Sequence, residues 1–192
     1  MKTKRKPGSF KKGQAIMEYL ITYGLALFVI LIVLAILVAV VLPSLRAPTT
    51  CQFTQPGFNC NQKEHVLVAD SGNNVRIQFQ LDNTQGKAIR VTGILCTTAA
   101  SGNIRKSDVT SNGVVLSSPV VMASGQSKSV GSAGSDITDE IECVKEDGTT
   151  VVLAPASNFR GSLAITYNFQ EEVPDAPERL AVATVTGTVI EE

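Results

Sequence analysis

Four cysteines, one histidine and a scatter of serines and paired acids are the residues of this 192-residue chain with chemistry to offer. Cys51, Cys60, Cys96 and Cys143 contain no Cys-x-x-Cys pair, and the only histidine is His65. Structural zinc needs closely spaced thiolate or imidazole pairs, so the set reads as two disulfides rather than a metal centre. Three connectivities are open. Cys51–Cys60 with Cys96–Cys143 comes first, because Pro56-Gly57 places a turn between the first two cysteines. An even number of cysteines fits an oxidising outer compartment.

Catalysis has less to stand on. His65 follows Glu64 at the start of a predicted strand, and the serines fall in turns. No motif joins them into a nucleophile–base–acid set, and His65 reads as a wetted surface histidine. The glycine-rich stretch Gly125–Gly134 lacks the Gly-Lys-Ser/Thr ending and strand-to-helix setting of a phosphate loop. The pairs Asp139-Glu140 and Glu171-Glu172 read as solvated strand faces or edge protection rather than catalytic dyads. The expectation is a protein that is not an enzyme and takes no cofactor.

The elements that carry these residues divide the chain by charge. Six of the seventeen basic residues (Lys2, Lys4, Arg5, Lys6, Lys11 and Lys12) precede a hydrophobic run, with no acid among them. From Pro43 onward eleven basic face sixteen acidic residues, a balance that speaks against nucleic acid as partner. Between the two regions, Tyr19 to Leu45 holds no charge and Leu25 to Leu42 is apolar throughout. In lipid such a run must be helical, because the backbone has to satisfy its own hydrogen bonds. Pro43 and Pro48 are expected to end it. The basic flank puts the N-terminus on the cytoplasmic side. The run is too long for a conventional secretory signal, and Leu42-Pro43-Ser44-Leu45-Arg46 offers no good cleavage site.

Lys12-Gly13-Gln14-Ala15-Ile16-Met17-Glu18-Tyr19-Leu20 and its continuation Ile21-Thr22-Tyr23-Gly24 stand at the entrance to the run. They resemble the processing region of archaeal type IV pilin-like proteins with a class III signal peptide. The resemblance covers about residues 11–42. It implies that a prepilin peptidase cuts between Gly13 and Gln14, leaving the hydrophobic helix on the mature chain with Glu18 at its fifth position. It also implies that Glu18 pairs with the new α-amino group of a neighbouring Gln14 during assembly. The other reading of Glu18 is a flanking carboxylate wetted at the interface. Tyr19 and Tyr23 share a helix face, where an aromatic interfacial belt is preferred over specific helix packing. Gly24 permits close approach or a local break, and Ala35 and Ala39 form a small-xxx-small pair.

Beyond Cys60 the hydrophobic period becomes that of strands. Val75, Ile77, Phe79 and Leu81 alternate with Arg76, Gln78 and Gln80, and Leu163, Ile165, Tyr167 and Phe169 alternate in the same way. Further strands are predicted at His65–Ala69, Ala88–Cys96, Val114–Met122, Ile137–Val144, Thr149–Leu153 and Leu180–Ile190, with turns between them. Ser124–Ser135 and Pro174–Pro177 read as loops. The expected fold class is therefore α+β: a long hydrophobic transmembrane and assembly helix, then an all-β head that is antiparallel and sandwich-like, with no second helix. The expected boundaries are a leader at 1–13, the helix at 14–45 and an extracellular head at 46–192.

Two functional classes follow. One is a structural subunit of a surface filament, polymerising with copies of itself or related pilins after meeting a prepilin peptidase and membrane lipid, and supporting adhesion. The other is a minor pilin or a single membrane-anchored extracellular module that binds a sugar or surface partner.

Overall fold

One uninterrupted helix, α1 (Phe10–Ser44), opens the computed structural model, which describes residues 10–44, 48–60, 65–173 and 176–192. The chain divides into two units, Met1–Arg46 and Ala47–Glu192. The basic leader residues 1–9 lie outside the described residues. The helix begins before the expected position 14 and passes Pro43 by one residue. Pro43 has no N–H to give the carbonyl of Ala39, and the helix ends one residue later. From Met17 to Ala39 every side chain is exposed, and those 23 residues are long and apolar enough to cross a membrane. At 1.5 Å per residue they span about 34 Å.

The second unit is built from strands β1 (Thr50–Phe53), β2 (Phe58–Cys60), β3 (Val66–Ala69), β4 (Val75–Asn83) and β5 (Ile89–Thr97). A short helix α2 (Lys106–Asn112) comes next, then β6 (Val114–Met122), β7 (Ser127–Val130), β8 (Ile141–Val144), β9 (Asn158–Phe169) and β10 (Arg179–Glu191). The architecture is not a sandwich. Strands β10, β3, β4, β8, β5 and β9 each pair with the next, and β9 returns to β10, so six strands close into a barrel. Closure removes the sheet edges that a sandwich leaves open.

Two joints of this barrel are parallel and short. β10 meets β3 over Val189–Glu191, and β5 meets β8 at Cys96↔Cys143 and Thr97↔Val144. The long antiparallel pairs β9/β10 and β5/β9 form the broad wall. Four strands flank the ring: β1 lies on β10, β6 on β5, and β2 and β7 on β4.

Alternation decides what fills the interior. Val75, Ile77, Phe79 and Leu81 of β4 are buried, while Arg76, Gln78 and Gln80 between them are half-buried. Leu163, Ile165 and Tyr167 of β9 face the same core as Ala181, Ala183 and Val185 of β10. Phe53, Phe58 and Tyr167 meet edge to face or tilted, with ring centroids 5.5 and 4.8 Å apart. On the outer face of the wall, Ala164 and Val182 are buried too. Leu95, Ile104, Val109 and Val144 cover them as a second, smaller cluster, in which α2 supplies Val109. The expectation of no second helix therefore fails, since seven residues make only about two turns, too short for a helical period to stand out.

Other expected elements are displaced. Ser124–Ser135 contains β7. Thr149–Leu153 makes isolated bridges at Thr150 and Val152 instead of a strand, because it donates and accepts alternately between Cys143 on one side and Asn73 and Val75 on the other. Of Ile137–Val144 only Ile141–Val144 is strand, Ile137 being held by a single parallel bridge to Val130. Pro174 and Asp175 lie outside the described residues.

Candidate functional site

The N-terminal segment places Gly13 and Gln14 within α1, one turn before Glu18. Glu18 is exposed, and its backbone carbonyl accepts a 2.6 Å hydrogen bond from the Thr22 hydroxyl. Back-bonding of this kind hides the hydroxyl of Thr22 from an apolar environment. Tyr19 and Tyr23 are 72% and 61% exposed, and their rings stack 6.2 Å apart at an interplanar angle of 12°. A side chain at Gly24 would find nothing within 4 Å, so the neighbouring helix surface is open at that point. Glu18, Tyr19 and Tyr23 thus occupy one end of an otherwise uncharged exposed rod.

The four cysteines form Cys51–Cys60 and Cys96–Cys143, and no described cysteine is free. Among the described residues no group of three or more His, Cys, Asp or Glu side chains is placed to hold a metal.

His65 is not a wetted residue. It is 4% exposed, with Nε2 3.3 Å from the Thr186 carbonyl and Nδ1 without a partner. A proton on Nε2 lets the ring donate to that carbonyl. Among the described residues no serine hydroxyl or carboxylate is hydrogen-bonded to the ring. Sequence reasoning missed this burial because the covering strand comes from the far end of the chain.

The acid pairs serve the barrel wall. Glu172 receives both terminal nitrogens of Arg179 at 2.5 and 2.6 Å, and Arg179 lies 4.6 Å from the Phe169 ring centroid. These hydrogen bonds hold the Glu172 carboxyl below the usual carboxylate range and raise the Arg179 guanidinium. Burial pushes the Tyr167 phenol up. Arg76 bridges Asp70 at 3.4 Å, Glu140 at 3.0 Å and Glu192 at 3.8 Å, tying the β3–β4 turn and the end of β10 to β4. The side-chain amide of Asn74, followed by backbone N–H groups, keeps Asp70 below its ordinary value.

A cleft of about 500 Å³ lies between the start of α2 and the turn after β8, with Arg105, Asp108, Lys145 and Glu146 on its walls. In the sequence Glu146-Asp147-Gly148 signals only a turn, and Arg105 and Asp108 lie between two predicted strands in a stretch without period.

Comparison with protein-family models, with curated proteins and with solved structures finds no match to this chain.

Proposed function

We propose that the chain is a structural subunit of an archaeal type IV-like pilus, assembled through α1 and presenting the barrel outward. The observation that carries this reading is the rod from Met17 to Ala39, which is uncharged apart from Glu18 and exposed at every position. A helix apolar all round is stable either in lipid or among other apolar helices. The Gly13-Gln14 junction one turn ahead of Glu18 adds the processing site that the resemblance implies.

In this reading the leader is removed at Gly13, and the span holds the subunit in the membrane until assembly. The helices then pack into a filament core, with the Glu18 carboxylate meeting the α-amino group of a neighbouring Gln14. A charge in an apolar surround is tolerated only when paired, so the pair fixes the axial register of one subunit on the next. The disulfide-bearing barrel suits an oxidising exterior, and the filament supports adhesion. N-terminal sequencing and intact mass of the polypeptide in sheared, purified filaments test the proposal. A mature chain starting at Gln14 as the main filament component supports it, and a chain confined to the membrane fraction removes the filament role.

The cleft beside α2 favours a second reading, a minor pilin or a membrane-anchored binding module, in which the barrel acts alone at the cell surface. Stoichiometry in the same filament preparation separates the two.

A further inference from the structure

Both disulfides lie where no external reagent reaches them. Cys51, Cys60, Cys96 and Cys143 are 1%, 0%, 0% and 0% exposed, and all four belong to the larger core cluster. Each bond is flanked by the strands that pair with its own cysteines. Cys51 stands opposite Val185 of β10, and Cys60 opposite Leu81 of β4. Cys96 stands between Cys143 and Leu163 of β9, and the Cys143 carbonyl accepts the Val151 N–H at 2.8 Å. Val185, Leu81 and Leu163 are themselves fully buried.

Two of these covers come from one hairpin. β9 supplies Leu163 and β10 supplies Val185, the two strands pair from Arg179↔Tyr167 to Thr188↔Asn158, and both follow every cysteine in the sequence. Without this hairpin Cys51 loses its cross-strand neighbour on β10, and Cys96 keeps only the two-pair contact of β5 with β8 on that level of the wall. No cysteine is left over to relay a disulfide from within, because the chain has four and none is free. The oxidising equivalents come from outside the chain.

We propose that the chain is the substrate of an external disulfide oxidant that acts before the β9–β10 hairpin docks. One cysteine thiolate attacks the oxidant's disulfide, a mixed disulfide forms, and one oxidant sulfur leaves as a thiolate. The partner cysteine thiolate then attacks the protein sulfur of the mixed disulfide, closing Cys51–Cys60 or Cys96–Cys143 and releasing the second oxidant sulfur. Each closure passes two electrons to the oxidant, which departs as a dithiol carrying the two protons the cysteines gave up. Exchange needs contact between sulfurs, and the packed interior of the closed barrel denies it. Docking of the hairpin therefore ends the period in which either bond can form. Placing the oxidant on the outer face rests on the proposal that the barrel faces outward. The order of oxidation and closure rests on the barrel alone.

Disulfide exchange is reversible, so a dithiol that removes the bonds retraces their formation. The full-length oxidised chain in neutral detergent is exposed to dithiothreitol across a urea series below the unfolding transition, with alkylation and mass spectrometry counting the thiols. Amide hydrogen exchange of β9 and β10 peptides is followed on the oxidised chain in the same series. Without urea both bonds are reduced about a thousandfold or more slowly than oxidised glutathione, the scale set by the open fraction of a stable domain. Reduction then accelerates with urea in step with exchange at β9 and β10. A bond reduced as fast as oxidised glutathione, or reduced while the β9 and β10 amides stay protected, overturns the assignment. The readout contains no filament, so failure of the pilus reading and failure of this one are separate observations.

Discussion

Cys51 and Cys60 join two strands that do not pair with each other. Cys51 lies on β1 opposite Val185 of β10, and Cys60 lies on β2 opposite Leu81 of β4. The bond spans a gap in the ladder where β1 and β2 flank the ring. The second bond, Cys96–Cys143, does the opposite, reinforcing the parallel joint at which β5 and β8 share only two residue pairs.

Removing each bond as a double serine variant is expected to lower stability by different amounts. The sequence separations are 9 and 47 residues, so loop entropy predicts about 3 kcal/mol for Cys51–Cys60 and about 4 kcal/mol for Cys96–Cys143. Urea midpoints of the full-length chain in detergent measure both. Equal losses, or a larger loss for the short loop, would show that something other than chain entropy dominates.

Asn83 should be among the most sensitive polar positions. It is fully buried, with Nδ2 within 2.9–3.1 Å of the carbonyls of Lys87, Met122 and Ala123, and Oδ1 accepting from Gln85 N–H. Asn83→Leu strands these backbone groups in the β4–β5 turn and at the end of β6, costing about 2–3 kcal/mol. Thermal unfolding that leaves the variant within experimental error of wild type would contradict this.

Acid should loosen the wall at β9 and β10. Glu172 is held below its ordinary value of 4.5 by Arg179, so its contribution is complete above that pH and fades as pH falls through the lower folded value. Asp70 and Asp136 shift the same way, Asp136 through the Ser129 backbone N–H and Lys128. Glu172→Gln is expected to flatten the stability profile below pH 4.5 while changing it little in slope above. A profile identical to wild type would remove Glu172 from the acid response.

How far the sequence foretold this molecule depends on how local each cause is. The alternation of Val75, Ile77, Phe79 and Leu81 needs no partner to be read, and β4 stands where it was expected. The hydrophobic helix is equally legible, since composition over a long run suffices. Barrel closure was hidden because its joints involve two or three residue pairs, such as Val189 with Leu67, and no local pattern records a partner so distant. His65 was misread for the same reason, its cover being Thr186 and Gly187. Strands β1 and β2 are four and three residues long around a Pro-Gly turn, too short for any period to show.

Assembly is expected to turn on the charge of Glu18. In the proposed filament Glu18→Gln should leave processing and both disulfides intact, yet reduce entry into fibres, because it would remove one partner of the proposed desolvated pair at about 3–5 kcal/mol. Filament yield per unit of processed subunit is the measure. Wild-type yield from this variant would discard charge pairing as the register device.

Tension gives the Cys51–Cys60 bond a further consequence. A pull transmitted from α1 along the chain reaches Pro48, whose carbonyl accepts from Thr186 Oγ1 at 2.6 Å, and then Thr50, in contact with the same hydroxyl at 2.7 Å. One residue later it meets Cys51. There the path forks: part shears β1 against β10, and part crosses the sulfur bridge into β2 and so into β4. Residues 52–59 fall outside the covalent shortcut, and a tug on a tethered barrel cannot unravel them while the bridge is intact.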